Sequence, residues 1–247
     1  IRETDAIVYV LRAFQNADIV NTQDDVNPIR DKEILDVELI LKDLETVEKR
    51  VNGLAGDVRA GKKDAVKENA VLLKAKDFLT QGKILIEHLP SEALAKEGEF
   101  TEDETVILKS FQLLTFKPRL YLLNGKHEEV DLVRLSLTLT NYVIMDIASE
   151  YESEGLNKEE RVGLGFNELS GTDILIKKSY DLLGLQTFLT TGEVETRAWT
   201  IHKGGKAPKA AGVIHSVGED AVAATAVLGI ASAWSSRAPN SITPPAV

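Results

Sequence analysis

Two kinds of apolar patterning alternate along the chain. Ala6-Ile7-Val8-Tyr9-Val10-Leu11, inside the stretch 5–14, is an unbroken apolar run, which predicts a strand buried on both faces. Polar residues follow up to Asn27-Pro28, where a helix is predicted to start: proline fits the first turn and Asn27 can cap it. From Pro28 to about Leu54, the residues Ile34, Val37, Leu41, Leu44 and Val51 follow a three–four spacing, broken once at Glu48. That spacing predicts a coiled-coil seam. Gly53, Gly56 and Gly61 interrupt it. A second helix is predicted from about Asp64 to His88, with Leu72, Leu79 and Ile86 at seven-residue steps and Leu89-Pro90 at its end. The short connection makes the pair an antiparallel helical hairpin.

Beyond the hairpin the pattern changes period. Thr101-Glu102-Asp103-Glu104 reads as a cap followed by acids at the positive end of a helix dipole. This third helix runs through Phe111 to Leu114 and stops at Lys117-Pro118. The stretches 119–124 (RLYLLN) and 141–147 (NYVIMDI) are two further strand candidates. Strands alternating with helices predict an α/β domain with a parallel sheet. A helix from about Leu169 to Leu183 then leads into the β-rich segments 185–190 and 196–201. The turn Thr191-Gly192-Glu193 separates these, which predicts a small hairpin module. Residues 217–247 carry only Glu219, Asp220 and Arg237 as charges, and from Ser235 onward the composition predicts disorder.

Composition narrows the function classes. With 29 Lys+Arg against 39 Asp+Glu the net charge is −10. A surface wholly given over to nucleic acid is excluded, whereas a local basic patch is not. No cysteine is present, so there is no disulfide framework, thiolate metal site or cysteine nucleophile, and a reducing compartment follows. No apolar run is long enough for a membrane-spanning helix. None of His88, His127, His202 and His215 pairs at i,i+4, and no carboxylate recurs at metal-ligand spacing around them, so no metal ligand is assigned. There is no Gly-x-Ser-x-Gly elbow to support acyl transfer. At 247 residues the chain is long enough for one large domain or several small ones.

Four segments together carry a family likeness: IRETDAIVYVLRAF at 1–14, DVNPIRDKEILDVELILKDLETVEKRV at 25–51, KPRLYLLN at 117–124, and LLGLQTFLTTGEVETRAWTIHKGGKAPKAAGVIHS at 182–216. With these the chain resembles the YchF family, the Obg-related, ribosome-binding P-loop ATPases. The resemblance implies an α/β fold: a partial Ras-like nucleotide domain at 1–27 and 96–184, an inserted coiled-coil hairpin at 28–95, and a β-grasp TGS domain from 185. Of the TGS domain only the first half is recognisable, and the tail 217–247 is atypical. It also implies that the phosphate-binding loop and switch motifs precede the position of Ile1, so the chain reads as a fragment or processed product. ATP and Mg²⁺ are the cofactors implied for the intact family member. Neither is expected to bind tightly to this chain alone, nor is the chain expected to hydrolyse ATP. Cytoplasmic location, a monomer and a ribosome or rRNA partner complete the implied picture. An alternative is a non-catalytic module that binds RNA or the ribosome through hairpin and TGS-like domain.

The candidate chemistry follows from that resemblance. The family's N-x-x-E base-reading motif matches Asn124-Gly125-Lys126-His127-Glu128, with the acid one residue late at Glu128. Asn124 carries a donor and an acceptor and can read a purine edge; Gly125 would approach through its backbone. Read from the residues alone, Asn124-Gly125 is a strand-end turn. A second base-side loop is implied at Asp146-Ile147-Ala148-Ser149, where small Ala148 and Ser149 admit the base. Whether ATP or GTP is favoured stays open. The stretch 56–63 (GDVRAGKK) nearly fits a phosphate loop, but Lys63 stands where Ser or Thr must bind Mg²⁺, and the segment joins helices. It is read as a hairpin tip whose basic residues Arg59, Lys62, Lys63 and Lys67 either contact phosphate-rich RNA or are simply solvated. Arg197, Lys203, Lys206 and Lys209, with Trp199 among them, form a second basic set suited to RNA; Trp199 also reads as a core residue.

Overall fold

A computed structural model describes residues 2–16, 25–89, 99–130, 139–192 and 195–215. The chain divides into two units, Ile1–Leu183 and Gly184–Val247. The expected disordered tail, the second half of the TGS-like module and Glu193 of the predicted turn lie outside the described residues.

The first unit is built on a sheet of three parallel strands in the order β1 (Ile7–Arg12), β2 (Arg119–Asn124), β3 (Tyr142–Met145). β2 is central and buried along nearly its whole length. Tyr9, Leu11, Tyr121 and Leu123 share one face and pack with Ile29 and Leu39 of a long helix, α1 (Pro28–Arg59). β1 departs from its expectation of burial on both faces. Val8 and Val10 are 42% and 59% exposed. They register with Leu120 and Leu122, which are buried. The covering helix on that side, α6 below, packs on β2 and β3, and among the described residues β1 is an edge.

α1 begins as the sequence predicts, with Pro28 in the first turn and the Asn27 side chain accepting from the Arg30 N–H. It does not stop near Leu54 but continues to Arg59, straight through Gly53 and Gly56. Each glycine costs a helix about 1 kcal/mol, and burial of Leu54 and Val58 against the next helix outweighs that. Residues 60–62 connect to α2 (Lys63–Thr80), with Gly61 at φ +71 making the turn. The ion pairs Arg50–Glu68 and Glu48–Lys76 show α2 running back along α1. α2 stops eight residues short of His88: Gly82 adopts φ +74, and Leu85–His88 forms a separate 3-10 turn.

The predicted seam is buried only in part: Leu44 and Val51 lie on the buried stripe, and Ile34, Val37 and Leu41 do not. Ile40, Leu44, Val47, Val51, Leu54 and Val58 face Leu72, Ala75 and Leu79, while Ile34, Val37 and Leu41 are 44–54% exposed. Two three–four series overlap along α1, and Leu41 lies one residue, about 100° of rotation, from the buried Ile40. Spacing alone does not say which series meets a partner.

α3 (Glu102–Lys109) carries a full capping box between Thr101 and Glu104. It ends before Leu114, because Gln112 turns the chain at φ +48 into a 3-10 turn, Leu114–Phe116. Asp43 of α1, fully buried, holds this turn: it accepts from the N–H groups of Leu114 (2.9 Å) and Thr115 (2.7 Å) and from the Thr115 hydroxyl (2.8 Å). After β3 come two short helices, α4 (Ile147–Glu152) and α5 (Lys158–Gly163), then α6 (Gly171–Leu182).

The second unit is an antiparallel hairpin, β4 (Leu185–Thr191) and β5 (Thr196–His202), followed by α7 (Ala207–His215). Ile201 of β5 and Ala210 of α7 are its buried residues among those described, and α7 packs on β5.

Candidate functional site

Parallel strands place ligands beyond their carboxyl ends, and β2 and β3 end side by side, with Asn124 opposite Met145. Asn124 Oδ1 accepts from the Ile147 N–H at 3.1 Å. The Gly125 N–H donates to the Met145 carbonyl at 3.2 Å, and the Ala13 N–H after β1 donates to the Asn124 carbonyl at 2.8 Å. A Cβ on residue 125 would lie 3.1 Å from the Ala13 carbonyl carbon, a tight contact that a larger residue could make only by pushing the ends of β1 and β2 slightly apart.

Asp146, the residue after β3, caps α4. Its Oδ1 accepts from the N–H groups of Ala148 (3.1 Å) and Ser149 (3.5 Å), and its Oδ2 accepts from the Ser149 hydroxyl (2.7 Å). The Ser149 hydroxyl, ahead of the backbone donors and nearby Lys126, holds the Asp146 carboxyl below the ordinary range, against some desolvation. The fold thus joins Asn124 and Gly125 to the loop of Ala148 and Ser149 through Ile147 and Met145. It also commits the two small residues' N–H groups to Asp146, so the loop presents to a ligand its surface and carbonyls. Glu128 lies on the 3-10 turn His127–Glu129 that follows β2, exposed to solvent.

Asp146 was not singled out among the candidates. Its signal was an acid closing an apolar run just before a short helix. Arg161 was missed entirely, and no local pattern marks it: its partners lie up to eleven residues back in the chain.

A second polar cluster sits at the opposite end of β2. Arg119 donates to Asp36 (2.8 Å) and to Glu87 (2.8 Å); Lys32 pairs with Asp36 (2.6 Å), and the Tyr9 hydroxyl donates to Asp36 (2.9 Å). Burial, reinforced by the Asp36 charge, pushes the Tyr9 phenol well above its ordinary value. The cluster ties both roots of the hairpin, α1 and the 3-10 turn after α2, to the sheet.

The basic sets are less uniform than the sequence suggests. At the tip Lys62 pairs with Asp57 (2.7 Å), Lys67 pairs with Asp103 (3.0 Å), and Arg59 donates to the Ala55 carbonyl. Lys63, the first residue of α2, is exposed. In the second unit the Arg197 guanidinium lies 4.5 Å from the Trp199 ring centroid. Trp199 is half-buried and donates its indole N–H to Thr190 (2.8 Å). Lys203, Lys206 and Lys209 are exposed. Among the described residues no cluster of His, Asp and Glu makes a metal site, and no helix is long and apolar enough to cross a membrane.

Comparison with known proteins covers most of the chain. The YchF-GTPase_C family model, described as a protein of unknown function (DUF933), matches residues 185–233. The "Ribosome-binding ATPase YchF" of Bacillus subtilis is 41% identical over 231 residues, covering 87% of this chain and 60% of the relative. "Obg-like ATPase 1" of Schizosaccharomyces pombe is 34% identical, covering 87% and 58%. The solved structure of the Schizosaccharomyces pombe YchF GTPase matches with a TM-score of 0.69 at 33% identity, covering 87% of this chain and 60% of that one. The chain therefore spans about 60% of the length of the curated relatives it matches.

Proposed function

The chain belongs to the YchF family, and from that premise we propose that it carries the purine-reading half of a nucleotide site in a ribosome-associated ATPase of the cytoplasm. Residues 1–27 and 96–184 are assigned to the nucleotide domain, 28–95 to an inserted hairpin, and 185 onward to a TGS-like module. The supporting observation is the junction of Asn124, Gly125 and the loop 145–149 at the carboxyl ends of β2 and β3. With its oxygen taken by Ile147, Asn124 offers a purine its Nδ2 donor. The N7 acceptor that such a donor meets is common to adenine and guanine, which differ at position 6, a donor in adenine and an acceptor in guanine. The exposed carboxylate of Glu128 is an acceptor for the adenine amino group and equally for the guanine N1–H and N2 amino groups, so it does not by itself favour ATP over GTP.

The 247 residues contain no complete phosphate-loop motif. The base contacts supply orientation but no charge neutralisation at the β–γ bond, which is where phosphoryl transfer is catalysed. This chain alone therefore binds ATP weakly and does not turn it over. Titration with ATP and Mg²⁺ tests both statements. Chemical-shift changes confined to residues 124–128 and 145–149, abolished in Asn124→Ala, are the expected result. Turnover well above background, or shifts elsewhere, would refute it.

The Arg197–Trp199 stack, in which Arg197 is exposed and Trp199 half-buried, favours a second, compatible role, contact with ribosomal RNA through a cation and an aromatic face. Co-sedimentation with ribosomes across salt concentrations measures it. Arg197→Glu is expected to weaken binding, and Lys62→Glu with Lys63→Glu reports whether the hairpin tip adds to it.

A further inference from the structure

α4, the helix that carries Ala148 and Ser149, has six residues and not one buried side chain. Ile147 is 40% exposed and Tyr151 78% exposed. A helix that short is unstable by itself, and hydrophobic packing does not hold it here. Polar tethers do. At its start stand Asn124 and Asp146, described above. At its other end is Arg161, a guanidinium whose side chain is only 7% exposed. Arg161 donates to the Glu150 carboxylate (3.1 Å), to the Ser153 hydroxyl (2.6 Å) and more distantly to the Ser153 carbonyl (3.5 Å). Its Nε donates to the Asn167 carbonyl (3.0 Å), and the guanidinium carbon lies 5.8 Å from the Phe166 ring centroid. Arg161 itself is carried by α5, whose capping box between Asn157 and Glu160 stabilises that helix independently.

We propose that Arg161 is a positioning residue for the second base-side loop. It anchors the C-terminal end of α4, so that the loop 145–149 stays docked on Asn124. The proposal rests on the base-site reading given above. Arginine suits this task because its rigid fork of donors meets Glu150, Ser153 and Asn167 at once, whereas a lysine brings the charge without the fork. The consequence is that the discrimination between purines depends on a residue that does not touch the purine.

The test uses the whole chain. Amide hydrogen exchange is read at Ile147, Ala148 and Ser149, whose N–H groups are bonded to Asn124 and Asp146, and at Leu122 and Leu123 in β2. ATP and GTP affinities come from chemical-shift titration of the Asn124 side-chain amide. In Arg161→Ala the loop amides are expected to exchange at least about tenfold faster, with the β2 amides unchanged. The ATP-to-GTP affinity ratio is expected to move by about threefold or more, and Arg161→Lys to restore part of both. Loop exchange at the wild-type rate, equal acceleration throughout β2, or a ratio unchanged in Arg161→Ala overturns the proposal while leaving the base site standing. A wild-type chain that distinguishes neither ATP from GTP nor either from buffer removes the base-site reading and this proposal with it.

Discussion

The most demanding prediction concerns Asp43, a carboxylate on the buried stripe of α1. It accepts three hydrogen bonds from Leu114 and Thr115, seventy-odd residues away in the chain. Asp43→Ala leaves two backbone N–H groups and a hydroxyl facing an apolar methyl in a site closed to water. Each hydrogen bond to a charged acceptor contributes about 1.5–3 kcal/mol. The three share one carboxylate and some relaxation follows its loss, so the sum is not additive, and a net loss of roughly 3–5 kcal/mol is expected. That is a large share of the about 5–15 kcal/mol by which a domain is stable. Thr115→Val removes only the hydroxyl and is expected to cost about 1 kcal/mol. Urea unfolding followed by far-ultraviolet circular dichroism reads the helices of the first unit. Tryptophan fluorescence comes from Trp199 and Trp234, both in the second unit, and separates that transition. In Asp43→Ala the amides of Leu114 and Thr115 should also lose protection first. A loss under about 1 kcal/mol, or unchanged protection at those two amides, would show that α1 docks by apolar packing alone.

Three further outcomes follow from single positions. Gln112 holds φ +48 at the end of α3, a conformation glycine adopts without penalty, so Gln112→Gly is expected to stabilise the chain by about 0.5–1 kcal/mol in the same urea assay. A Cβ on Gly171 would lie 2.4 Å from Met145 Cγ and 2.6 Å from its sulfur; Gly171→Ala should cost about 1–3 kcal/mol, with Gly171→Ala/Met145→Ala recovering most of it. The Tyr9 phenol is raised by burial and by Asp36. Its contribution is therefore fully present below the unfolded value near about pH 10 and is lost as pH rises past it. Tyr9→Phe should flatten the alkaline limb of the stability–pH profile, and an equally steep limb would assign that loss to another group.

The base-side junction was half legible. Asn124 and Gly125 announce themselves by ending an apolar strand with a turn pair, and Ala148 and Ser149 follow the next strand. Their contact was not legible, because it depends on β2 and β3 being adjacent and in register, so that the Ile147 N–H reaches Asn124. Arg161 was invisible for the same reason on a smaller scale. A charged residue on a short polar helix looks like any solvated one until Glu150, Ser153 and Asn167 fold around it. The seam of α1 shows the limit for apolar residues. Ile34, Val37 and Leu41 satisfy the spacing as well as Ile40, Val47 and Leu54 do, yet only the second series is buried.

What the linear order of residues determined was local: where β1, β2 and β3 run, where Asn27, Thr101 and Pro28 start helices, and that two long helices return on each other. These depend on backbone conformation and on periodicity within one element, which neighbouring residues set between themselves. What only the tertiary structure decided was which face of each element is covered. Val8 and Val10 stay exposed because α6 covers β2 and β3 instead. Gly53 and Gly56 stay helical because α2 packs beside them. Asp36 and Asp43 become buried acceptors because donors from residues 9, 114, 115 and 119 converge on them. Burial is a property of the partner as much as of the residue, and the partner lies far away along the chain.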